Sequence, residues 1–273
     1  FRTTFKGIKM LSHRIITALI LASICGGILF YAPPQLFAAS AWLLGMIAIY
    51  EACKMYKFTM FQITATLILL TAIAASFSMV NYDASQAIRI VCVTTWCFIV
   101  PLTLIFTPKK FSKLSIALFC AILFLPAYYS MTVIQALFGP LQLISIMAIA
   151  WVADIGAYAV GKLCGKHKLA KHISPGKSIE GAIGGLVLVT IYLCTLSYFK
   201  LAYYIPTYNL AIKFAVILTI VGIIGDLLES WFKRVAGVKD SGKILPGHGG
   251  VFDRIDSLIA VLAIAFALIR GMI

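Results

Sequence analysis

The stretch "NLAIKFAVILTIVGIIGDLL", Asn209 to Leu228, has the length and apolar character of a helix that crosses a membrane. A helix needs about 20 mainly apolar residues to span the hydrocarbon core of a bilayer. This run contains two charged residues, Lys213 near its start and Asp226 near its end. Because a charge inside a membrane is costly, Asp226 is a functional candidate as well as part of a predicted span.

The rest of the chain shares this apolar character. Of its 273 residues, 62% are hydrophobic and 12% are charged, with a mean hydropathy of +1.02. Soluble domains are roughly a quarter charged, so this composition excludes an ordinary soluble protein. The sequence predicts an all-α, polytopic integral membrane protein with nine spans, at about 15–31, 36–52, 58–80, 86–106, 114–138, 141–161, 180–199, 209–228 and 256–273.

The positive charges lie almost entirely on one side of these predicted spans. The N-terminal arm and alternate connections hold 19 of the 23 Lys and Arg residues. Cytoplasmic segments carry such an excess, which predicts a cytoplasmic N-terminus and an odd number of spans. Arg14 and the apolar run after it have features of a cleaved signal peptide, but this orientation favours a retained first span. The net charge of +14 therefore reflects orientation and requires no nucleic-acid partner.

The acidic residues divide the chain into two regions. Seven of the nine carboxylates lie from Asp154 onward. We therefore expect residues 1–138 to form an N-terminal transmembrane bundle. Residues 139–273 then form a C-terminal catalytic transmembrane region, with cytoplasmic loops at 162–179 and 229–255.

Helical spacing brings several of these acids together. Asp226, Glu229 and Ser230 fall on one face of a single helical turn. Asp253 and Asp256 are three residues apart at the start of the last span, where the helix dipole stabilises negative charge. Acids gathered at converging helix ends repel one another unless a cation holds them. The alternative for Asp154 and Asp226 is that each lies near enough to the cytoplasm to reach water.

The chemistry of these ligands favours Mg²⁺ over zinc. The seven cysteines form no C-x-x-C pair and lie mostly in apolar runs, which is typical of buried apolar side chains. The predicted metal ligands are Asp154, Asp226, Asp253 and Asp256.

A charged stretch follows the eighth span: "SWFKRVAGVKDSGKILPGHGGVFDRID", Ser230 to Asp256. Carboxylates ringed by Lys and Arg are expected where a metal and a polyphosphate bind together. Glycines near its end let the backbone approach phosphate closely. The alternative is a positively charged cytoplasmic loop with incidental acids, which leaves three aspartates and "GHGG" unexplained. The predicted groups around the acids are Lys233, Arg234, Lys239, Lys243, His248 and Arg254, and the glycines are Gly247, Gly249 and Gly250. Ser230, on the face of Asp226 and Glu229, is a further predicted substrate-binding residue.

The other long connection contains "GKS" at Gly176 to Ser178, part of a phosphate-binding P-loop pattern. That pattern requires a glycine where this chain has Lys171, so the P-loop interpretation fails. Hydroxyls of Ser174 and Ser178, with backbone amides, can still receive phosphate at the start of the seventh span, and Lys177 adds charge. We predict that this segment meets the 229–255 loop over one site and that Asp154 faces the same cavity.

These motifs resemble the signature of the phosphatidate cytidylyltransferases (CDP-diacylglycerol synthases). The resemblance rests on Ser230, Lys233, Arg234, Lys239, Asp240, Gly242, Leu245, Pro246, His248, Gly249, Gly250, Asp253, Arg254 and Asp256. A "D-x-x-A-Y" run at Asp154 and an "S-P-x-K-[ST]-x-E-G" block at Ser174 to Gly181 also match, although Gly176 stands where many members have a second Lys. The close match covers roughly residues 140–273, and the first five spans match only as a generic apolar region.

The resemblance implies Mg²⁺-dependent transfer of CMP from CTP to phosphatidate at the cytoplasmic face of a bacterial inner membrane. It implies catalytic roles for Asp226, Asp253, Lys239, Asp240 and His248, and adds Glu180 to the substrate-binding residues. The resemblance leaves open whether a second cation binds and whether two chains form a homodimer.

Two other functions are weighed against this one. A CDP-alcohol phosphotransferase would carry "D-G-x2-A-R", which this sequence lacks. A cation-coupled transporter could use Asp154 and Asp226 along an ion path, but the charged motif after the eighth span would then have no role.

Overall fold

The structure is a computed structural model that describes residues 23–77, 82–245 and 249–271, and side chains for all of these except 82–84. The helices, in chain order, are α1 (23–31), α2 (Pro34–Met55), α3 (Met60–Ser76), α4 (Tyr82–Thr94), α5 (Val100–Phe106), α6 (Lys113–Cys164), α7 (Ile179–Tyr198), α8 (Tyr208–Ala236) and α9 (Phe252–Arg270). A π-helical turn, Thr95–Ile99, joins α4 to α5.

Five helices of the described chain are long and apolar enough to cross a membrane: α2, the continuous run Ser85–Phe106, α6, α7 and α8. The 52-residue α6 is interrupted at Gly139, whose φ of +80° is not helical. Each half of α6 therefore has the length of a separate span. Pro126 lies within the first half. The prediction of a polytopic, helical membrane protein is confirmed, while the count of nine spans stays a prediction.

One helix, α9, forms the centre of the bundle. Its residues from Ile259 to Ala267 are all buried, and it packs against α2, α4, α6 and α8. By contrast, α7 has an exposed apolar stripe at every fourth residue, including Ile183, Val187 and Ile191. A helix apolar on its outer face is suited to lipid contact. The charged first turn of α9 is thus held at the end of a protein-enclosed helix.

The chain is not entirely helical, which corrects the all-α prediction. Two short antiparallel strands, β1 (Lys168–Ala170) and β2 (Ser174–Ser178), form a hairpin between α6 and α7. Ser178 ends β2 and caps α7, its Oγ accepting a hydrogen bond from the Gly181 amide at 3.1 Å. The hairpin therefore delivers Lys177 and Ser178 directly to the start of a helix.

Close contact between α6 and α7 depends on small residues. A Cβ added to Gly181 would lie 2.8 Å from the Ala157 carbonyl oxygen, and one added to Gly185 would lie 2.9 Å from that of Ala153. Real side chains do not approach backbone oxygens so closely, so only glycine fits at either position. Glycine at these two positions therefore allows the close approach of the two helices.

The second predicted loop, 229–255, is partly helical. Helix α8 continues to Ala236 and ends at Gly237, which adopts a left-handed φ of +71° that glycine accepts readily. Helix α9 begins at Phe252. The connection is therefore 237–251, and the first charged residues of the motif stand on α8 itself.

Candidate active site

A cavity of about 340 Å³ opens between the second half of α6, β2, α7, α8 and α9. Its polar lining includes Asp154, Lys177, Ser178 and Asp226, brought from three separate parts of the chain. Its apolar lining includes Ile149, Leu218, Ile223 and Val261. The cavity can thus receive a charged group at one part and a hydrocarbon group at another.

A direct ion pair joins the hairpin to α8. The Lys177 Nζ lies 2.5 Å from Asp226 Oδ2, and both side chains are half-buried. Asp226 Oδ1 accepts a longer hydrogen bond from Ser230 Oγ at 3.4 Å. The structure therefore brings Asp154, Lys177, Ser178 and Asp226 to one cavity. None of the described residues in 229–255 lines it, so the meeting of the two predicted cytoplasmic loops over one site stays a prediction.

Three carboxylates gather where α8 meets α9. One oxygen from each of Asp226, Glu229 and Asp256 lies within 4.8 Å of the others. The helices approach this closely at Gly225, where a Cβ would lie 2.6 Å from the Asp256 carbonyl oxygen. The spacing of Asp226 and Glu229 along α8 places both on the same face.

This cluster fits a hard cation. Glu229 is 1% exposed, and its Oε1 has no hydrogen-bond partner within the described residues. A buried, unpartnered carboxylate oxygen is unfavourable unless a positive group satisfies it. All-oxygen ligation is the preference of Mg²⁺. Asp226, Glu229 and Asp256 are therefore the residues that could hold one.

Lys233 connects this cluster to the start of α9. Its Nζ lies 2.7 Å from Glu229 Oε2 and 2.7 Å from Asp253 Oδ1. Asp253 Oδ2 accepts hydrogen bonds from the Ser241 amide at 2.9 Å and the Gly250 amide at 2.8 Å, and the Ser241 hydroxyl lies 3.0 Å from it. Both oxygens of Asp253 are thus engaged by other groups of the protein. In the acidic cluster, the third carboxylate beside Asp226 and Asp256 is that of Glu229 and not that of Asp253.

Similarity to known proteins identifies the family of this chain. Residues 12–272 match the model of the Cytidylyltransferase family. The chain belongs to this family. A phosphatidate cytidylyltransferase of Pseudomonas aeruginosa is 33% identical over 95% of this chain and 97% of its own length. Those of Staphylococcus haemolyticus and Staphylococcus aureus strain COL are 47% and 49% identical over 45% and 42% of this chain, and 47% and 43% of their own lengths. The family that the motifs resemble is confirmed.

Several other residues that were predicted to belong to the functional site do not line the cavity. Glu180 accepts hydrogen bonds from the Lys166 and His167 amides at 3.1 Å and lies 2.6 Å from His167 Nδ1, which ties the hairpin to α7. Ser174 is half-buried at the start of β2. The exposed predicted residues are Arg234, Lys239, Asp240 and Arg254. Gly249 has a left-handed φ of +86°, and His248 lies outside the described residues.

Sequence reasoning did not include Glu229 among the metal ligands, and it gave no role to Glu51. Glu51 on α2 is 1% exposed, and its Oε2 accepts hydrogen bonds from the Phe252 amide at 2.9 Å and the Ser241 hydroxyl at 3.2 Å. A carboxylate inside an apolar run was the available signal, since such groups are functional candidates by default. Its partners lie about 190 and 201 residues away in sequence.

Proposed function

We propose that this chain is a phosphatidate cytidylyltransferase that transfers CMP from CTP to phosphatidate and releases pyrophosphate. The observation that carries the proposal is the cavity, which has both a charged and an apolar lining. The chain also matches a phosphatidate cytidylyltransferase of Pseudomonas aeruginosa along 97% of that protein's length. The cavity lies among helices that cross the membrane. The acyl chains of phosphatidate can therefore stay near lipid while its phosphate reaches Lys177 and Ser178.

The reaction we propose is a displacement at phosphorus. An oxygen of the phosphatidate phosphate forms a bond to the α-phosphorus of CTP. The bond from that phosphorus to the bridging oxygen breaks, and pyrophosphate leaves with the electron pair. Because the attacking oxygen is already anionic, positioning and charge neutralisation matter more than a strong base.

We assign the binding of phosphate oxygens to cations near the acidic cluster. Lys177 and Lys233 are held there by carboxylates, and ammonium groups form strong charge-assisted hydrogen bonds with phosphate. Exposed Arg234, Lys239 and Arg254 add positive charge on the same loop side. The catalytic roles of Asp240 and His248 rest on the family resemblance.

We assign Mg²⁺ to Asp226, Glu229 and Asp256, with Asp154 lining the adjoining cavity. When bound, the cation neutralises negative charge on phosphate groups. Asp253 was predicted as a ligand. To serve as one, it would have to exchange a contact with Lys233 or with the Ser241 and Gly250 donors.

We also infer nine spans, with the N-terminus and the active site on the cytoplasmic side. The two halves of α6 supply two of the nine, and α3 and the buried α9 supply two more. The Lys and Arg distribution supports this orientation. Bacterial relatives support placement in a bacterial cytoplasmic membrane, where CTP reaches the site from the cytosol.

The experiment that tests the function uses CTP labelled at the α-phosphate. Purified protein with Mg²⁺ and phosphatidate in detergent micelles should move the label into the lipid phase. Diacylglycerol, which lacks the attacking phosphate, is the matched control and should accept none. Folded protein that transfers no label contradicts the proposal, and cation uptake by reconstituted vesicles would then favour a transporter.

A further inference from the structure

Glu51 stands where α2 meets the motif loop, which we define as the described residues 237–245 and 249–251. It belongs to α2, an apolar helix, yet its side chain is almost fully enclosed. Its Oε2 accepts hydrogen bonds from Phe252, the first residue of α9, and from Ser241. Burying a carboxylate costs free energy unless its hydrogen bonds compensate. The buried position of the Glu51 carboxylate therefore requires an explanation other than packing.

The motif loop is shaped around this carboxylate. A Cβ on Gly242 or on Gly250 would overlap the carboxylate oxygens of Glu51. The backbone at both positions therefore packs directly against Glu51, with no room for a side chain. These contacts supply a physical reason for two glycines of the motif.

A continuous chain of polar contacts leads from Glu51 to the acidic cluster. The Ser241 hydroxyl lies 3.2 Å from Glu51 Oε2 and 3.0 Å from Asp253 Oδ2. A hydroxyl has one hydrogen to donate, and the Ser241 amide already bonds Asp253 at 2.9 Å. The amide can therefore hold Asp253 while the hydroxyl holds Glu51. Asp253 in turn pairs with Lys233, which pairs with Glu229.

We propose that Glu51 is a positioning residue of the cytidylyl-transfer site, which anchors the motif loop to the N-terminal bundle and, through Ser241, fixes the orientation of Asp253 and Lys233. The inference rests on the proposed function for the roles of Asp253 and Lys233. It gives α2 a part in a site otherwise built from the C-terminal half. A purely structural Glu51 would affect the folded fraction but leave the kinetic constants and Mg²⁺ affinity of the folded protein unchanged.

The test is a double-mutant cycle of Glu51→Gln and Ser241→Ala. Three quantities are measured: kcat and KM for CTP, the Mg²⁺ concentration for half-maximal rate, and the Mg²⁺-dependent rise in Tm without substrates. Glu51→Gln keeps the side-chain volume but removes the charge, so we expect roughly a tenfold loss of kcat/KM, the scale of one charge-assisted hydrogen bond. We also expect several-fold weaker Mg²⁺ affinity by both Mg²⁺ measurements. The double variant should be little worse than the poorer single variant, because both residues act along one path.

Cys53→Ala is the matched control. Cys53 lies two residues further along α2, is equally buried, and its thiol lies beside that of Cys120 on α6. We expect this variant to lower Tm alone, with unchanged KM for CTP and unchanged Mg²⁺ dependence.

Wild-type constants for folded Glu51→Gln, or strictly additive effects in the cycle, would overturn the inference. If Glu51→Gln fails to fold, Glu51→Asp is measured instead, since it retracts the carboxylate from Ser241 but keeps the charge. Unchanged kinetics in that variant would equally count against the proposal. If the wild-type protein transfers no CMP, the proposed function is contradicted. The positioning role is then decided by the Mg²⁺-dependent rise in Tm, measured for the wild-type protein, both single variants and the double variant.

Discussion

At the scale of single residues, Asp226 joins the cavity to the acidic cluster. It pairs with Lys177 and lies within 4.8 Å of carboxylate oxygens of Glu229 and Asp256. Asp226→Asn keeps the shape and removes the charge, so we expect turnover to fall by about a hundredfold or more. Tm should change little, because the lost ion pair is offset by weaker repulsion within the cluster. Turnover and thermal unfolding in detergent check this, and near-normal activity with unchanged Mg²⁺ dependence would exclude Asp226 as a ligand.

Lys233 was predicted to bind the substrate and Lys239 to take part in catalysis, and the structure gives them different surroundings. Lys233 is 14% exposed and balances Glu229 and Asp253, whereas Lys239 is exposed on the loop. Lys233→Ala leaves a buried carboxylate without its cation, a change that typically costs about 3–5 kcal/mol of stability. We expect it to lower Tm and activity together, while Lys239→Ala raises KM for CTP and leaves Tm unchanged. Equal losses of Tm would contradict this distinction.

At the scale of elements, the crossing of α8 and α9 depends on Gly225. A Cβ there would lie 2.6 Å from the Asp256 carbonyl oxygen, whereas one on Gly222 would lie 3.4 Å from Val261 Cγ2, an ordinary contact. We therefore expect Gly225→Ala to push the helices apart, lower Tm by several degrees and weaken Mg²⁺-dependent activity. Gly222→Ala, one turn earlier on α8, is the matched control and should be nearly neutral. Equal tolerance of both substitutions would show that the close crossing is unimportant.

The helices were predictable because long apolar runs are strong local signals. The hairpin of β1 and β2 was missed because strands of only three and five residues are too short to show an alternating pattern. The last two turns of α8 were assigned to a loop because they are charged. In the structure Glu229 and Lys233 pair across one helical turn, which allows the charged segment to stay helical.

At the scale of the whole molecule, the candidate site combines local and distant parts. Asp226 and Asp256 were predicted to converge because each stands at the same end of a span. Glu51 was not predicted to join them, since its contact with Ser241 closes a sequence separation of 190 residues. Hydrophobic periodicity describes which face of a helix is buried, but it does not identify the partner helix. Contacts between the two halves of the chain therefore required the structure.

The nine-span orientation makes a prediction about the two ends of α8. Lys200 precedes this helix, Lys239 follows it, and both are exposed. A 29-residue apolar helix is long enough to separate them by a full bilayer. We expect a membrane-impermeant maleimide to label Lys239→Cys only in inside-out vesicles and Lys200→Cys only in right-side-out vesicles.

The labelling experiment needs a background without accessible thiols, in which Cys25, Cys97, Cys164 and Cys194 are replaced by alanine. Lys109→Cys, in the exposed connection before α6, is the internal control, because it is predicted to share the cytoplasmic side with Lys239. Labelling of Lys200→Cys and Lys239→Cys from the same side would mean that α8 does not cross. The acidic cluster at its end would then have no defined side, and access of cytosolic CTP to Asp226 would no longer follow from the topology.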